Sequence, residues 1–196
     1  MTVRIAPLTG KDVEKGIEAA ARLRIAVFRY WPYLYDGSMA YEAGYLAKFA
    51  KAKGAIIVAA YDDDRIVGCA TAAPLAEVEA EFSAPFRERG WDIARIFYCG
   101  ESVLLPEYRG QGIGNAFFEQ REAQAHALGG FSHSTFCAVV RPEKHALRPK
   151  EYMPLDAFWR KRGYEKVDGV TTYFTWKDVD QPEETAKLMQ FWIKPL

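Results

Sequence analysis

The sequence predicts an α+β fold in which the strands of a sheet are combined with several helices. Apolar, β-branched runs at residues 55–61 and 66–73 flank the polar turn Asp62-Asp63-Asp64-Arg65, which is typical of an antiparallel hairpin. A further apolar strand at residues 95–105 leads into a glycine-rich turn and then into a helix. A hairpin and a strand–turn–helix unit in one chain indicate a mixed fold, neither all-helical nor all-strand.

The first half of the chain contains the hairpin and two helices. A short strand is expected at residues 2–6, and Thr9 or Asp12 can cap a helix whose apolar positions run from Val13 to Val27. An aromatic loop at residues 28–36 interrupts the helical pattern, which resumes at residues 39–51 and stops at Gly54. The hairpin follows, and then a long mixed segment in which a short helix is expected at residues 77–82.

The second half alternates strand and helix and ends in two strands. After the strand at residues 95–105 come a helix at 115–128, stopped by Gly129-Gly130, and a strand at 132–140. A short helix at residues 155–162 ends at Gly163, and strands at 170–176 and 187–193 complete the order.

Composition indicates one soluble globular domain spanning residues 1–196. Hydrophobic residues make up 49% and charged residues 27%, and 26 basic residues balance 26 acidic ones. Without a net positive field, nucleic acid is not an expected partner. No run of about 18 apolar residues and no basic-flanked apolar leader is found, so we expect no membrane span and a cytoplasmic location.

Three cysteines, Cys69, Cys99 and Cys137, are expected to be reduced core thiols. Their number is odd, they lie far apart, and each sits in an apolar strand-like stretch. No pair among His126, His133 and His145 has the spacing of a zinc site, and no metal is expected.

The glycine turn Arg109-Gly110-Gln111-Gly112-Ile113-Gly114 carries the chemical signal. A turn without Cβ atoms at the N-terminus of a helix directs main-chain N–H groups at an anion, and a diphosphate fits that geometry and charge. A turn that only joins a strand to a helix is the alternative. A Walker A loop would need Gly-Lys-Ser/Thr where Asn115 and Ala116 stand, and the Gly-x-Gly-x-x-Gly dinucleotide spacing is not met.

The segment resembles motif A of the GNAT acetyltransferases, which pairs Arg or Gln with two glycines, here Arg109, Gly112 and Gly114. The preceding Pro-Glu-Tyr-Arg-Gly is similar to the family's lead-in, and the order of elements matches that fold along nearly the whole chain. The resemblance implies a three-layer α/β/α architecture with a central mixed, mostly antiparallel sheet flanked by helices. It also implies acetyl-CoA as cosubstrate.

The resemblance further implies which main-chain groups hold acetyl-CoA. The strand end would pair with the pantetheine arm and polarise the thioester carbonyl, and the turn would hold the pyrophosphate. The residues concerned are Val103, Leu104 and Leu105 on the strand and Arg109, Gly110, Gln111, Gly112, Ile113, Gly114 and Asn115 on the turn.

The catalytic residues depart from the family's pattern. Glu101 lies on the strand before the turn and is the candidate general base, although alignment from Leu104 puts a commonly used glutamate position at Tyr98. A solvated or structural carboxylate is the alternative role of Glu101. The tyrosine that often donates a proton is replaced by Trp159, which cannot protonate a thiolate. Tyr152 is the candidate acid in its place, with ordinary packing as its alternative role.

The acceptor is expected at the aromatic loop between the first two helices. Tyr30, Trp31 and Tyr33 supply large rigid faces, with Tyr35 and Trp91 nearby in the family's arrangement and with Asp36 and Glu42 as partners for an amine. This favours a small amine with an apolar portion; core packing or a dimer contact are the other uses of these aromatics. The terminal strand with Trp192 is a candidate contact in a homodimer.

The predicted function is acetyl transfer from acetyl-CoA to the amine of a small-molecule acceptor by direct attack. A noncatalytic acyl-CoA-binding or interaction module on the same fold is the alternative, because the usual acid and base positions are substituted. An oxidoreductase that uses NAD is a third interpretation, which would need the turn to prefer NAD over CoA.

Overall fold

The computed structural model describes residues 3–196, in which seven strands and five helices are found. The strands are β1 (Arg4–Thr9), β2 (Ile56–Asp62), β3 (Arg65–Pro74), β4 (Ile96–Leu104), β5 (His133–Val139), β6 (Glu165–Lys177) and β7 (Glu184–Pro195). The helices are α1 (Val13–Phe28), α2 (Met39–Phe49), α3 (Ala80–Arg87), α4 (Ile113–Leu128) and α5 (Asp156–Lys161). Thr2, at which the first predicted strand begins, lies outside the described residues.

One seven-stranded sheet runs through the molecule in the order β1-β2-β3-β4-β5-β7-β6. Every neighbouring pair is antiparallel except β4 and β5, which are parallel and are joined by the crossover helix α4. Short turns can join antiparallel neighbours, as they join β2 to β3 and β6 to β7, whereas a parallel pair needs a long crossover. The glycine turn and α4 therefore occur where the sheet has its parallel pair. The predicted mixed, mostly antiparallel sheet is confirmed.

The sheet opens between β4 and β5. The two strands pair only where Ile96 to Tyr98 lie beside His133 to Thr135, at their N-terminal ends. Beyond Tyr98 no ladder joins them, although β4 continues to Leu104 and β5 to Val139. The separated ends therefore leave a cleft in the middle of the sheet, and main-chain groups of both strands border it.

A β-bulge lies in β4 beside this opening. In the β3–β4 ladder Ala70 pairs with Ser102 but Ala72 pairs with Cys99, so Thr71 faces both Gly100 and Glu101. A Cβ at Gly100 would come within 2.5 Å of the Thr71 side-chain oxygen, which explains the glycine. An extra residue in one strand changes the face to which the next side chains point.

Helices cover both faces of the sheet, as the three-layer prediction requires. On one face α1 and α2 bury Ala20, Leu23 and Leu46 against Ile57 and Val103. On the other face α4 buries an apolar cluster that includes side chains of β2, β4, β5 and β7: Val58, Ala60, Phe97, Phe117, Phe118, Phe136 and Trp192. Ile57 and Val58 belong to different clusters because neighbouring side chains of a strand point to opposite faces.

Several predicted bounds needed correction. The short helix expected at residues 77–82 lies at Ala80–Arg87, α4 begins two residues early at Ile113, and β6 and β7 are longer than predicted. Trp192 is 1% exposed and stacks on Phe136, so the interpretation of this side chain as a dimer contact is wrong. No helix among residues 3–196 combines the length and apolar character that crossing a membrane requires.

Candidate active site

The glycine turn enters α4 in a left-handed conformation. Gly110 has φ +77° and Gly112 has φ +79°, a region that side chains with a Cβ rarely adopt. An added Cβ at either glycine would meet no atom within 4 Å, so the turn faces open space and both glycines border the cleft. The two glycines therefore allow the left-handed backbone of the turn and leave its concave surface open.

Main-chain N–H groups converge at this turn. Asn115 and Ala116 donate to the carbonyl of Gly112, at 2.9 and 3.2 Å. The N–H groups of residues 110–114 donate to no main-chain carbonyl of residues 3–196. Successive free N–H groups at the positive end of a 16-residue helix form a site for an anion.

The side chains around the turn differ in their use. Arg109 borders the cleft and donates at 3.4 Å to the carbonyl of Leu104, and its guanidinium is exposed. Asn115 accepts from Arg162 at 3.1 Å, which ties the first turn of α4 to the end of α5. Gln111 is exposed and does not border the cleft, whereas Ile113 and Gly114 do.

The edge of β4 presents alternate residues to the cleft. The N–H of Leu105 donates to the carbonyl of Val67 at 3.1 Å, so by the alternation of an antiparallel ladder Val103 and Leu105 direct their main-chain groups toward β3. Ser102 and Leu104 direct theirs the other way, and both border the cleft. Of the three strand residues named from the sequence, Leu104 is the one at the cleft.

The cleft itself has a volume of about 1580 Å³ and runs from the glycine turn to the aromatic loop. Its walls come from β4 and α4 on one side and from β5, α5 and residues 140–155 on the other. The cleft is bordered by residues of all three groups named from the sequence. They are Arg109 and Gly112 of the turn, the catalytic candidates Glu101 and Tyr152, and the acceptor candidates Tyr30, Trp31 and Tyr33.

Glu101 is the second residue of the bulge and is buried in an ionic triad. Its Oε2 accepts from Nη1 of Arg24 at 2.6 Å, and Nε of Arg24 donates to Oε2 of Glu42 at 2.5 Å. The side chains of Glu42 and Glu101 are 0% and 3% exposed. Among the described residues the other oxygen, Oε1, of each carboxylate has no hydrogen-bond partner.

Arg24 keeps its charge at this depth because of its partners. Burial acts to lower the pKa of Arg24, but the charges of Glu101 and Glu42 and the hydrogen bond to Glu42 outweigh burial and raise it above its ordinary value. The guanidinium also lies 4.5 Å from the ring centroid of Tyr45. The triad therefore joins α1, α2 and β4 at the inner end of the cleft.

A second buried arginine, Arg121 of α4, lies at the bulge from the opposite face. Its Nη1 donates at 3.4 Å to the carbonyls of both Thr71 and Glu101, and its Nε donates at 3.2 Å to the carbonyl of Phe117. Arg121 is 1% exposed. These bonds satisfy carbonyls on both strands where the bulge interrupts the ladder.

The aromatic loop lies at the far end of the cleft. Tyr30 is 66% exposed, Trp31 lies 5.0 Å from the His145 ring and 5.9 Å from that of Tyr152, and Tyr33 packs 4.3 Å from Phe28. The three predicted acceptor residues therefore share the cleft with Tyr152. Burial, followed by the charge of Asp156, raises the pKa of Tyr152, so its hydroxyl carries a proton at neutral pH.

A buried ion pair fixes this loop. Arg141 donates to both carboxylate oxygens of Asp178, at 2.6 and 2.9 Å, and also to the carbonyls of Pro32 and Tyr33. Asp178 is fully buried, and Lys187 lies 3.4 Å from it. The pair connects the loop to the end of β5 and to the β6–β7 turn.

Four residues discussed from the sequence lie elsewhere or are otherwise engaged. Trp159 is half-buried, packs 5.0 Å from Phe136 and 5.1 Å from Trp192, and borders the cleft. Trp91 packs against Phe86 and His133 and borders neither the cleft nor the aromatic loop. Asp36 is paired with Arg29 and Lys177, whose hydrogen bonds lower its pKa, and Glu42 is paired with Arg24.

Sequence reasoning missed Arg24, Arg121 and Arg141. Arg24 and Arg121 stand among apolar helical positions, and a charged residue in the apolar stripe of a helix is the signal that could have identified them.

Cys69 and Cys99 are buried free thiols, as predicted, and Cys137 is a free thiol near the cleft. Burial raises the pKa of Cys137 to about 12. Residues 3–196 contain no group of three or more His, Cys, Asp or Glu side chains that could hold a metal ion.

The sequence was compared with family models and with curated proteins, and the structure with solved structures. The model of the acetyltransferase (GNAT) family matches residues 21–164. No curated protein matches the sequence significantly.

Solved structures with this fold include three acetyltransferases that align over the whole of this chain. Arabidopsis thaliana NAA60 in complex with acetyl-CoA is 13% identical, with 99% of that chain covered and a TM-score of 0.62. The ribosomal-protein-alanine N-acetyltransferase of Brucella melitensis is 14% identical, with 100% covered and a TM-score of 0.61. An acetyltransferase of Thermus thermophilus is 15% identical, with 98% covered and a TM-score of 0.59. At these identities the likeness shows the fold.

Proposed function

The chain belongs to the acetyltransferase (GNAT) family, and from that premise we propose that it transfers the acetyl group of acetyl-CoA to the amine of a small-molecule acceptor. The observation that carries the proposal is the row of free N–H groups at residues 110–114, which faces the cleft between β4 and β5. The complex of Arabidopsis NAA60 with acetyl-CoA supports the choice of cosubstrate.

Acetyl-CoA fits this site in charge and in shape. The pyrophosphate would accept from the N–H groups of Gly110, Gly112 and Gly114 at the N-terminus of α4, with Arg109 adding a charge-assisted contact. The pantetheine arm would run along the free edge of β4 and pair with main-chain groups of Leu104 and Ser102. Most contacts would then be made by the backbone, and this accounts for a motif built mainly of glycine.

The acetyl group would lie at the bulge, between Glu101 and Tyr152. The nitrogen of the acceptor attacks the thioester carbonyl carbon, and Glu101 accepts the proton that the nitrogen loses, through Oε1 or through a water molecule. The C–S bond then breaks, and Tyr152 gives its proton to the departing thiolate. Holding both reactants in one cleft supplies much of the rate enhancement.

The acceptor would enter past the aromatic loop. Tyr30 is exposed at the rim, and Trp31 and Tyr33 line the passage toward Glu101. Because Arg141 holds the carbonyls of this loop from behind, the aromatic faces are fixed before the acceptor arrives.

A noncatalytic acyl-CoA-binding module is a second candidate, and one observation favours it. Oε2 of Glu101 already accepts a hydrogen bond from Arg24, so this oxygen is not free to take a proton from an acceptor. Binding of acetyl-CoA without turnover would support this candidate. Release of CoA that depends on an amine would exclude it.

The test is calorimetric titration with acetyl-CoA, with NAD as the competing ligand. We expect micromolar binding, about −8 kcal/mol, which is lost when Gly112 and Gly114 are replaced by alanine and Arg109 by alanine. CoA release is then measured with a panel of primary amines. A folded protein that binds no acetyl-CoA, or that prefers NAD, would refute the proposal.

A further inference from the structure

A separate small pocket adjoins the inner end of the cleft. It has a volume of about 90 Å³ and lies between α1, α2, β4 and the β6–β7 pair. Phe28, Tyr33, Gly100, Glu101 and Cys137 border both this pocket and the cleft, so the two spaces meet at the bulge. A molecule in the pocket therefore has access to an acetyl group held in the cleft.

The pocket wall is mainly aromatic. Nine aromatic side chains from five elements and the aromatic loop surround it: Phe28, Tyr33, Tyr35, Tyr41, Tyr45, Phe82, Tyr98, Phe174 and Trp176. Burial raises the pKa of Tyr33, Tyr45 and Tyr98, so these hydroxyls stay neutral and the aromatic side chains add no negative charge. Aromatic faces attract cations and offer apolar contact to an alkyl chain.

The ionic groups at the pocket are two carboxylates, Glu42 and Glu101, and one guanidinium, Arg24, and one carboxylate oxygen is free to accept. Arg24 is the positively charged residue of the wall, and its guanidinium is engaged by Glu42 and Glu101. Arg141 and Lys187, near Trp176, are both paired with the buried Asp178. Oε1 of Glu101 is buried and without a partner among the described residues, which leaves the pocket able to receive a hydrogen-bond donor.

We propose that this pocket binds the amino end of an unbranched alkylamine, with the ammonium donating to Oε1 of Glu101 and the chain lying against the tyrosine faces. An anionic head group is disfavoured, because the triad has two carboxylates against one guanidinium and Glu101 would repel an anion. A ring next to the ammonium is disfavoured, because the pocket is smaller than the cavity of roughly 150 Å³ that holds benzene, whereas a flexible chain can extend from the pocket into the adjoining cleft. The inference rests on the proposed function and adds the class of the acceptor.

The pocket can be tested separately from the reaction by binding in the absence of acetyl-CoA. The probe is n-butylammonium, compared with benzylammonium and butyrate at equal ionic strength, and affinity is measured by saturation-transfer NMR on the full chain. We expect n-butylammonium to bind at least tenfold more tightly than benzylammonium, and butyrate not to bind. Equal or tighter binding of benzylammonium, or any specific binding of butyrate, would overturn the inference.

Variants separate the carboxylate from the aromatic wall. Glu101→Gln keeps the shape and removes the charge, and it should weaken n-butylammonium binding at least tenfold. Tyr41→Leu changes a side chain that is 47% exposed, so folding is not at risk, and it should weaken binding several-fold. Glu18→Gln, which neutralises an exposed carboxylate of α1, is the matched control and should bind as the unaltered chain does. Unchanged affinity in both pocket variants would overturn the inference.

The two proposals fail in different ways. If n-butylammonium binds as described but no amine is acetylated, acetyl transfer is refuted and the ammonium pocket stands. If other amines are acetylated while n-butylammonium neither binds nor reacts, the pocket assignment is refuted and acetyl transfer stands.

Discussion

Gly112 is a single residue on which the cosubstrate site depends, because its φ of +79° lies in the left-handed region. Alanine at such an angle costs about 1–2 kcal/mol, and the turn would relax toward a conformation that redirects its N–H groups. We expect Gly112→Ala to weaken acetyl-CoA binding at least tenfold in a calorimetric titration, while the protein stays folded.

A glycine in an ordinary helical position is the matched control. Gly44 lies on the exposed side of α2, and an added Cβ there meets no atom within 4 Å. Gly44→Ala should leave acetyl-CoA affinity unchanged and raise the free energy of unfolding by roughly 0.5–1 kcal/mol. If Gly112→Ala binds acetyl-CoA as tightly as Gly44→Ala does, the turn is not the phosphate site.

Arg24 is the residue on which the buried triad depends. Removing it leaves the carboxylates of Glu42 and Glu101 together in the interior, 0% and 3% exposed, without a compensating cation. We expect Arg24→Met to lower the free energy of unfolding by about 3–5 kcal/mol in urea titrations at pH 7.

The control for Arg24 is Arg22, which lies two residues earlier on the same helix. Arg22 forms an exposed pair with Glu18 at 2.8 Å, and such pairs contribute about 0–1 kcal/mol. Arg22→Met should therefore have little effect at any pH. Similar destabilisation by the two substitutions would show that the triad does not stabilise the fold.

At the scale of elements, the loop between α1 and α2 is held by the end of β6 and by Arg141. The N–H of Asp36 donates to the carbonyl of Lys177 at 2.9 Å, and that of Val179 donates to the carbonyl of Leu34 at 2.7 Å. Arg141 adds bonds to the carbonyls of Pro32 and Tyr33 from the other side. The aromatic loop is thus ordered by its neighbours and not by regular structure of its own.

Breaking that clamp should loosen the loop selectively. We expect Arg141→Met to speed amide hydrogen exchange at Leu34, Tyr35 and Asp36 at least tenfold, because the buried Asp178 loses its bidentate partner. Exchange in the β2–β3 hairpin should be unaffected. Arg148→Met, which removes an exposed arginine from the neighbouring segment, is the control, and equal effects of both substitutions would argue against the clamp.

Elements with a strong periodic signal could be predicted from the sequence. The hairpin of β2 and β3 and the helix α4 could be predicted from their own residues alone, because apolar periodicity and the glycines that end a helix are local features. The helix around Phe82 was misplaced by several residues, because a Pro inside α3 and 3₁₀ geometry before it weaken the local pattern. The bulge at Gly100 could not be assigned, because it depends on the register with β3.

At the scale of the whole molecule, the site arises where β4 and β5 part. The glycine turn was visible in the sequence because its chemistry is local, and so was the aromatic loop. Arg24 and Glu101 are 77 positions apart in the chain, and Arg141 and Asp178 are 37 apart. Local periodicity cannot predict contacts between residues so far apart. Trp192 was misread for the same reason, since its burial depends on packing against Phe136 from another strand.

The opening between β4 and β5 predicts where acetyl-CoA should protect the backbone. The N–H groups of residues 110–114 and, by the register of β4, that of Leu104 have no partner within the sheet or helix among the described residues. Saturating acetyl-CoA should therefore slow amide exchange at these positions at least tenfold while leaving β2 unchanged, and the protection should be lost in Gly112→Ala. CoA without the acetyl group should protect the same positions, because the pyrophosphate and pantetheine make these contacts. Protection confined to β6 and β7 would instead put the cosubstrate outside the cleft. The opening between β4 and β5 would then not be the acetyl-CoA site.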